Sequence, residues 1–276
     1  MFELPETVTL ADQINESLTG KIIQKGQLGN SLHKFVWYNR TDAEFNALTE
    51  GKMVGAATVR GRWLSVSLNP GYVLLFGECG GKMLYHAPGS KLPKKYHLYL
   101  TFEDESFFTM TTRMWGAMEL YEKGAELERE YVKGMRVTPI ESEFTFNYLS
   151  ELIDSLLLGK KRSVKGLLTQ DQLIPGLGNA IAQDIHYRAK LHPKHSISDL
   201  DKDQKWALYQ AVVETVQEGI NKGGRYDEYD LYNQPGKYVR LMDKNSVGQP
   251  CSICGSIIQK IHYLGGACYF CPTCQM

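Results

Sequence analysis

The amino-acid sequence predicts an α+β protein with three parts in chain order: a two-layer β-rich domain flanked by a helix, a helical domain, and a small metal-binding finger. Short β-branched and aromatic runs separated by turn residues occupy the first 130 or so residues. From Phe144 onward the apolar period becomes helical, and five of the six cysteines fall in the last 26 residues.

Composition limits the classes of function. The chain has 276 residues, enough for two domains, and its 43% hydrophobic and 22% charged residues are typical of a folded protein. The start MFELPETVTLADQ lacks the basic and apolar regions of a signal peptide, and no apolar run approaches the ~18 residues of a membrane span. We therefore expect a cytoplasmic protein that makes no contact with a membrane. We also expect the protein to be a monomer.

Local patterns predict the elements of the first part. Apolar residues recur at helical spacing before Gly20, which predicts a first helix over residues 8–19. A capping-box pattern at Thr41 and Glu44 predicts a second helix over Thr41–Leu48. Strands are predicted at Met53–Val59, Arg62–Leu68, Tyr72–Phe76, His97–Phe102 and Ser106–Thr111.

The second part contains two helical stripes, one beginning near Phe144 and one over Leu200–Ile220. A segment rich in Gly, Tyr and charged residues follows and is typical of a loop. We place the domain boundaries at 1–130 for the β-rich domain, 131–143 for a linker, 144–224 for the helical domain, 225–250 for a connector and 251–276 for the finger.

The charge is unevenly distributed, although the net charge is zero. Residues 159–276 carry 15 Lys and Arg against 11 Asp and Glu, an excess of +4 that residues 1–158 balance with −4. Locally the basic residues concentrate at Lys160, Lys161 and Arg162. Such a cluster is more often a solvated face than a binding site, so it does not decide the partner.

Four of the C-terminal cysteines form two Cys-x2-Cys hooks with 16 residues between them, Cys251/Cys254 and Cys271/Cys274. This spacing is typical of a tetrahedral structural zinc site. Two disulfides in a secreted protein are the alternative, but no signal peptide is recognisable and the other 250 residues hold one cysteine. We predict one structural zinc ion bound by the four thiolates.

A turn with two glycines, Ile174–Asn179, leads into a predicted helix. Glycines let the backbone approach a ligand closely, and the free N–H groups at a helix start hold a phosphate well. By itself the turn indicates either a phosphate site or a plain helix–helix connection, and both interpretations stay open.

Together these parts resemble the formamidopyrimidine-DNA glycosylase/endonuclease VIII family. The resemblance covers essentially the whole chain, and it is carried by Glu3-Leu4-Pro5-Glu6, the Pro175–Asn179 turn, His192-Pro193, and the finger from Cys251 to Gln275. It implies an N-terminal β-sandwich, a helix-two-turn-helix DNA-binding domain and a C-terminal zinc-ribbon hairpin. It also implies that the partner is double-stranded DNA with a damaged or abasic site.

The resemblance further implies a set of DNA contacts. Asn179 and the backbone of Gly178 should hold a phosphate next to the lesion, and Lys165 is similar to a lysine near the same backbone. Arg113 and Trp115 lie in a loop similar to the one that fills the gap left by an everted base, with Trp115 as the wedge. Core packing is the alternative interpretation of Trp115.

The catalytic positions depart from the family. The family nucleophile is a proline amine exposed after removal of the initiator methionine, but here the second residue is Phe2. Its bulk should block that removal and leave the amine on Met1, one residue or ~3.5 Å out of place. Arg62 stands where a lysine is expected. An arginine can still bind a DNA phosphate, but its permanent charge prevents it from acting as an amine nucleophile. The carboxylates Glu3, which is the family's acid/base, and Glu6 are retained. The alternative interpretation of Glu3 is that it only caps a helix or pairs with a nearby group, and both interpretations stay open.

Three functions stay open at this point. The first is an active base-excision-repair glycosylase of the endonuclease VIII type, with or without AP-lyase activity, that uses Glu3 and either the Met1 amine or water. The second is a catalytically silent binder of abasic or distorted DNA. The third is an RNA or protein adaptor that keeps only the scaffold.

One more position departs from the family. Gly266 stands where the family has an arginine that binds the lesion phosphates.

Overall fold

The structure is a computed structural model that describes residues 1–31, 33–159 and 161–276. The chain divides into two compact units: Met1–Met135 with Ile220–Tyr238, and Arg136–Gly219 with Val239–Met276. The first unit therefore takes up residues that the sequence interpretation placed in a connector. The five-part division proposed above stays a prediction.

The N-terminal helix α1 spans Leu4–Ser17, so it begins four residues earlier than predicted. A proline is tolerated in the first turn of a helix, and Pro5 occupies it. The Glu6 carboxylate accepts a hydrogen bond from the Glu3 N–H at 2.8 Å, which satisfies a donor at the helix start. The prediction placed the start too late because it depended on the apolar period, which begins only at Leu10.

The predicted capping box of the second helix is confirmed. Helix α2 spans Asp42–Thr49, and the Thr41 hydroxyl accepts the Glu44 N–H at 3.3 Å while the Glu44 carboxylate accepts the Thr41 N–H at 2.8 Å. A further short helix, α3, spans Glu130–Lys133 where a linker was predicted.

Among the described residues of the first unit, nine strands form two sheets. They are β1 Ile23–Leu28, β2 Val36–Tyr38, β3 Met53–Arg60, β4 Trp63–Asn69, β5 Tyr72–Gly77, β6 Gly81–His86, β7 Leu98–Phe102, β8 Phe107–Thr112 and β9 Gly116–Glu122. One sheet has the order β2-β9-β5-β4-β3 and the other β1-β7-β8-β6. Within these two sheets, all neighbouring strands run antiparallel except β2 and β9, which run parallel to each other.

One apolar core contains buried residues of both sheets and of α1. Its members include Leu10, Ile14, Leu64, Leu74, Phe76, Leu100, Phe102 and Phe108. The five predicted strands are present within a residue or two, and the sandwich that the resemblance implies is confirmed. Strands β1, β2, β6 and β9 were not predicted. Strand β9 reads GAMELYE, a composition of weak β-propensity, and its pairing with β5 and β2 decides its conformation.

The second unit is helical and ends in a hairpin. Its helices are α4 Phe146–Leu156, α5 Val164–Thr169, α6 Asn179–Arg188 and α7 Lys202–Asn221, and the division from the first unit falls in the last turn of α7. Strands β10 Gln259–Tyr263 and β11 Gly266–Phe270 form the finger hairpin. Lys160 of the predicted basic cluster lies outside the described residues. None of the described helices combines the length and hydropathy needed to cross a bilayer.

Candidate active site

The N-terminal residue is held by several groups of the first unit. The Met1 α-ammonium lies 3.1 Å from Oε1 of Glu228. The Met1 carbonyl accepts a hydrogen bond from Nη2 of Arg225 at 2.8 Å, and Nη1 of Arg62 lies 3.2 Å from the thioether sulfur. A Cβ on Gly80 would come within 2.8 Å of the Met1 nitrogen, so glycine is required for this approach. Met1 is therefore held in place by residues of the first unit.

Phe2 is part of the apolar core. It is 2% exposed, and its N–H donates to the Cys79 carbonyl at 2.8 Å. A proline at this position would lose that hydrogen bond and the packing of the aromatic ring. The departure from the family at Phe2 thus has a structural role in the core.

Arg225 lies at the centre of a buried charge network. Its Nη2 lies 2.8 Å from Oε2 of Glu6, and its backbone N–H donates to the other Glu6 oxygen at 2.8 Å. Its guanidinium also lies 3.7 Å from carboxylate oxygens of both Glu3 and Glu228. Burial alone would lower the pKa of Arg225, but attraction to Glu6 and Glu3 outweighs it and the pKa is raised.

Both retained carboxylates, Glu3 and Glu6, contact Arg225 in this network. Glu6 bonds both to the start of α1 and to Arg225, which gives it a structural task. Glu3 is 5% exposed and lies beside the same guanidinium. Neither side chain lines the open pocket described next.

A surface pocket adjoins the N-terminus. It is lined by Met1, Glu78, Gly80, Gly81, Arg113, Met114, Trp115 and Glu228. Three of the predicted site residues, Met1, Arg113 and Trp115, therefore share one cavity. A fourth, Arg62, contacts Met1 and forms an ion pair with Glu78 at 3.2 Å.

The pocket loop presents exposed side chains. Arg113 is exposed, and its backbone N–H donates to the Gly80 carbonyl at 2.6 Å. The Trp115 ring is 39% exposed and stacks on Trp37 with centroids 5.3 Å apart, and Phe35 lies 4.5 Å away. Trp115 thus belongs to an aromatic cluster at the surface and is not buried in the core.

In the second unit, the phosphate-type turn lies against the finger. Gly178 precedes α6 in extended backbone, and Asn179 is its first residue. A Cβ on Gly266 would lie 3.2 Å from Oδ1 of Asn179, so the hairpin turn approaches this side chain closely. Lys165 is fully buried, and its amine donates to the Tyr263 carbonyl at 2.5 Å. The three predicted phosphate contacts therefore gather around one hairpin.

The four predicted zinc ligands converge. The Sγ atoms of Cys251, Cys254, Cys271 and Cys274 all lie within 4.8 Å of one another. The separations of 3.9 Å for Cys251–Cys274 and 3.4 Å for Cys254–Cys271 are close to the ~3.8 Å edge of a tetrahedron with ~2.3 Å Zn–S bonds. The cluster can therefore bind a metal ion. The Tyr187 hydroxyl lies 3.2 Å from the Cys251 sulfur and supports that ligand from outside.

Comparisons with known proteins agree with this architecture. The sequence profile of the formamidopyrimidine-DNA glycosylase N-terminal domain matches residues 1–120, and that of the formamidopyrimidine-DNA glycosylase H2TH domain matches residues 136–228. The chain belongs to the formamidopyrimidine-DNA glycosylase/endonuclease VIII family.

Relatives in this family match over their whole length. The formamidopyrimidine-DNA glycosylase of Listeria innocua is 29% identical over 282 residues and that of Bacillus cereus 26% over 280, with at least 99% of each chain covered. The fold is similar to that of Fpg from Lactococcus lactis in complex with abasic-site DNA (TM-score 0.84) and with Fapy-dG DNA (TM-score 0.85). Each of these structures is 24% identical in sequence, with 99% of both chains covered.

Three charged residues that approach Met1 or its pocket were missed by sequence reasoning. Arg225 and Glu228 lie in a segment that was interpreted as a loop, and Glu78 follows β5. The available signal was the run of six ionisable or aromatic residues at 225–230. An exposed loop does not require such a run, so the run indicates buried or functional contacts. Their partners were not readable, since Arg225 and Glu6 are 219 positions apart.

Proposed function

We propose that this protein is a base-excision-repair DNA glycosylase with AP-lyase activity, and that its nucleophile is the α-amine of the retained Met1. The observation that carries the proposal is that Met1 lines the same pocket as Arg113 and Trp115, and that its amine lies 3.1 Å from Glu228, another residue of the pocket. The relatives named formamidopyrimidine-DNA glycosylase support the glycosylase class, and the fold shared with an Fpg–abasic-DNA complex supports the DNA partner.

The chemistry requires a neutral amine at the sugar. The amine lone pair attacks C1′ of the damaged nucleotide, and the base leaves with the electrons of the glycosidic bond and takes up a proton. The nitrogen lone pair then expels the ring oxygen, which is protonated to a hydroxyl, and an imine links Met1 to the sugar. Elimination then breaks the strand. Glu3 lies beside Arg225 at the start of α1 and outside the residues that line this pocket, so we assign it no step in this reaction.

DNA binding in this proposal comes from phosphate contacts in the second unit and base contacts in the first. Asn179, the Gly178 backbone and Lys165 take the phosphate, while Arg113 and Trp115 occupy the space left by the everted base. The metal of the four-cysteine cluster is zinc, since four thiolates at tetrahedral spacing suit this ion and leave no open coordination position. Its role is structural.

The decisive experiment is borohydride trapping on a duplex that contains an abasic site. We expect a covalent protein–DNA adduct, and peptide mapping by mass spectrometry should place it on Met1. Protein whose Met1 amine has been selectively acetylated is the control and should bind the duplex without forming an adduct. An adduct on a lysine side chain would contradict the assignment of the nucleophile.

A catalytically silent damage binder is the second candidate. It is favoured by the ion pair of the Met1 amine with Glu228, because a protonated amine is not a nucleophile. Tight binding of abasic DNA with neither base release nor trapping would select it. The same experiment run on oxidised, alkylated and abasic duplexes tests the finer assignment to the endonuclease VIII type, since that assignment depends on which lesions are released.

Binding experiments separate the contributions of the two units. Asn179→Ala should weaken binding of intact and abasic duplexes alike, because a phosphate contact is independent of the lesion. Trp115→Ala should instead reduce the preference for the abasic duplex by about 1–3 kcal/mol, the free energy of one base–aromatic stack. Fluorescence anisotropy with both duplexes measures the two effects. An equal loss from both variants would mean that the loop is wrongly assigned.

A further inference from the structure

We propose that Glu228 is a catalytic residue that takes a proton from the Met1 ammonium and returns it to the leaving oxygen, and that Arg225 is its positioning residue. This inference rests on the proposed function, because it concerns the same amine. It follows from a contact that the family resemblance does not supply, since Glu228 lies outside the motifs that carry it.

The Glu228 carboxylate is held in place at the amine. Its Oε1 lies 3.1 Å from the Met1 nitrogen and 3.7 Å from Nη2 of Arg225, and its side chain is 12% exposed. The backbone is fixed as well, because the Glu228 N–H donates to the Arg225 carbonyl at 3.1 Å and its carbonyl accepts from Gly236 at 3.1 Å. A carboxylate fixed in this way can exchange a proton with the amine without moving.

The neighbouring carboxylates have other partners. Glu6 bonds to Arg225 and to the start of α1, and Glu78 pairs with Arg62 at 3.2 Å. Within the described ranges 1–31, 33–159 and 161–276, Glu228 supplies the carboxylate that contacts the Met1 ammonium. Arg225 also donates to the Met1 carbonyl at 2.8 Å, so one side chain orients both the nucleophile and its base.

The proton balance is closed for reaction with an aldehydic abasic sugar. The ammonium gives one proton to Glu228, and the freed lone pair attacks C1′ to form a carbinolamine. The protonated carboxyl then returns its proton to the carbinolamine hydroxyl, the C–O bond breaks, and water leaves as the iminium forms. Glu228 ends as a carboxylate, and no oxidant or reductant is required. Borohydride subsequently reduces the iminium in the trapping assay.

The test compares trapping rates of the natural chain and Glu228→Gln on an abasic duplex across about pH 6 to 9, the range that spans the ordinary amine pKa. The amide carbonyl of glutamine can still accept a hydrogen bond from the ammonium but cannot take its proton, so folding and placement of Met1 are preserved. We expect trapping to slow by about a hundredfold near neutral pH, the usual contribution of a general acid–base group. The deficit should shrink as pH rises, because solvent then removes the proton.

Asp227→Asn is the matched control, since it removes one negative charge from the adjacent exposed position. It should trap at the natural rate. Binding to a duplex with a tetrahydrofuran abasic analogue, which cannot form an imine, should be unchanged in both variants.

The outcomes distinguish the two proposals. Trapping by Glu228→Gln at the natural rate and with the natural pH profile overturns this inference and leaves the proposed function standing. Parallel loss of trapping and analogue binding in Glu228→Gln also overturns it, because Glu228 would then only hold its segment in place. Absence of trapping in the natural chain, with analogue binding intact, overturns both.

Discussion

Among the described Lys and Arg residues, each unit of this protein buries one side chain, and the two buried side chains have different partners. Arg225 of the first unit is 4% exposed and lies among three carboxylates, those of Glu3, Glu6 and Glu228. Lys165 of the second unit is fully buried and donates to the Tyr263 carbonyl. No carboxylate of the described residues forms an ion pair with Lys165.

The different partners of Arg225 and Lys165 indicate different roles for the two positive charges. A buried guanidinium surrounded by carboxylates is neutralised and serves to hold the N-terminus, so its charge is not available to a ligand. A buried ammonium with one carbonyl partner keeps most of its positive potential, which supports the proposal that Lys165 meets a phosphate. Near Lys165, burial, followed by the charge of Lys165, lowers the pKa of His186 to about 3.

Removal of the metal should have the largest effect on this comparison. Tyr263, the acceptor for Lys165, ends strand β10 of the finger, and a structural zinc site contributes about 10–16 kcal/mol to folding of such a finger. We expect Cys254→Ser to lose the metal and most of the DNA affinity while the β-sandwich keeps its unfolding transition. Metal content per chain and circular dichroism during urea unfolding measure this.

Cys268→Ala is the control for metal loss, since Cys268 is buried in β11 and is not among the four clustered sulfurs. It should retain one zinc per chain. A preparation free of zinc that still folds its finger and binds DNA would contradict the assignment.

Replacement of Arg225, the cation neutralised by carboxylates, should have the next largest effect, which is on the stability of the first unit. Arg225→Met leaves Glu3, Glu6 and Glu228 without a counter-ion and should destabilise the first unit by about 3–5 kcal/mol. Lys133→Gln breaks an exposed ion pair with Glu128 and should change the free energy of unfolding by less than about 1 kcal/mol. Urea unfolding compares the two, and similar losses would mean that the network contributes no more than a surface pair.

Substitution of His186 tests the environment of Lys165, the buried cation without a carboxylate partner among the described residues. Both of its ring nitrogens lack a hydrogen-bond partner among the described residues, and the residue is fully buried. We expect His186→Leu to stabilise the second unit by about 1–3 kcal/mol at neutral pH, because an unsatisfied polar group is removed. Unfolding followed by urea titration at fixed pH provides the measurement.

The pH dependence of the same variant has a definite sign. The pKa of His186 is lowered to about 3 in the folded state, so between that pH and the ordinary value of 6.5 the unfolded chain binds more protons. Stability is therefore full above about pH 6.5 and falls below it, by about 1.4 kcal/mol for each pH unit. His186→Leu should lack this fall, and an identical pH profile in both proteins would show that His186 is protonated or solvated when folded.

Lys165 itself should have the smallest effect on folding and a measurable effect on binding. Lys165→Met removes a buried charge with a single acceptor, so stability should be equal or higher, while the slope of log affinity against log salt should fall by about 1. Lys161→Gln, in the exposed part of the basic cluster, tests the solvated-face interpretation and should leave the slope unchanged. Equal slopes for the natural chain and Lys165→Met would place the Lys165 amine away from any phosphate.

Sequence patterns determined the features that depend on near neighbours along the chain. The Thr41–Glu44 capping box spans four residues, and the four clustered cysteines come in pairs three positions apart. Five strands and the main helices were predicted because side-chain periodicity is imposed by the element itself. The family was recognised for a related reason, because its motifs at Glu3–Glu6, Pro175–Asn179 and the finger are contiguous.

Tertiary structure alone decided the contacts that define the candidate site. Glu228 meets Met1 across 227 positions, and Arg225 meets Glu6 across 219. The burial of Lys165 against Tyr263 and the stacking of Trp115 on Trp37 are likewise long-range. A charged or aromatic residue can form its hydrogen bonds, ion pairs or ring contacts with solvent or with many different residues. The local sequence therefore does not specify which partner it contacts. Packing of the two sheets and of the finger hairpin makes that choice.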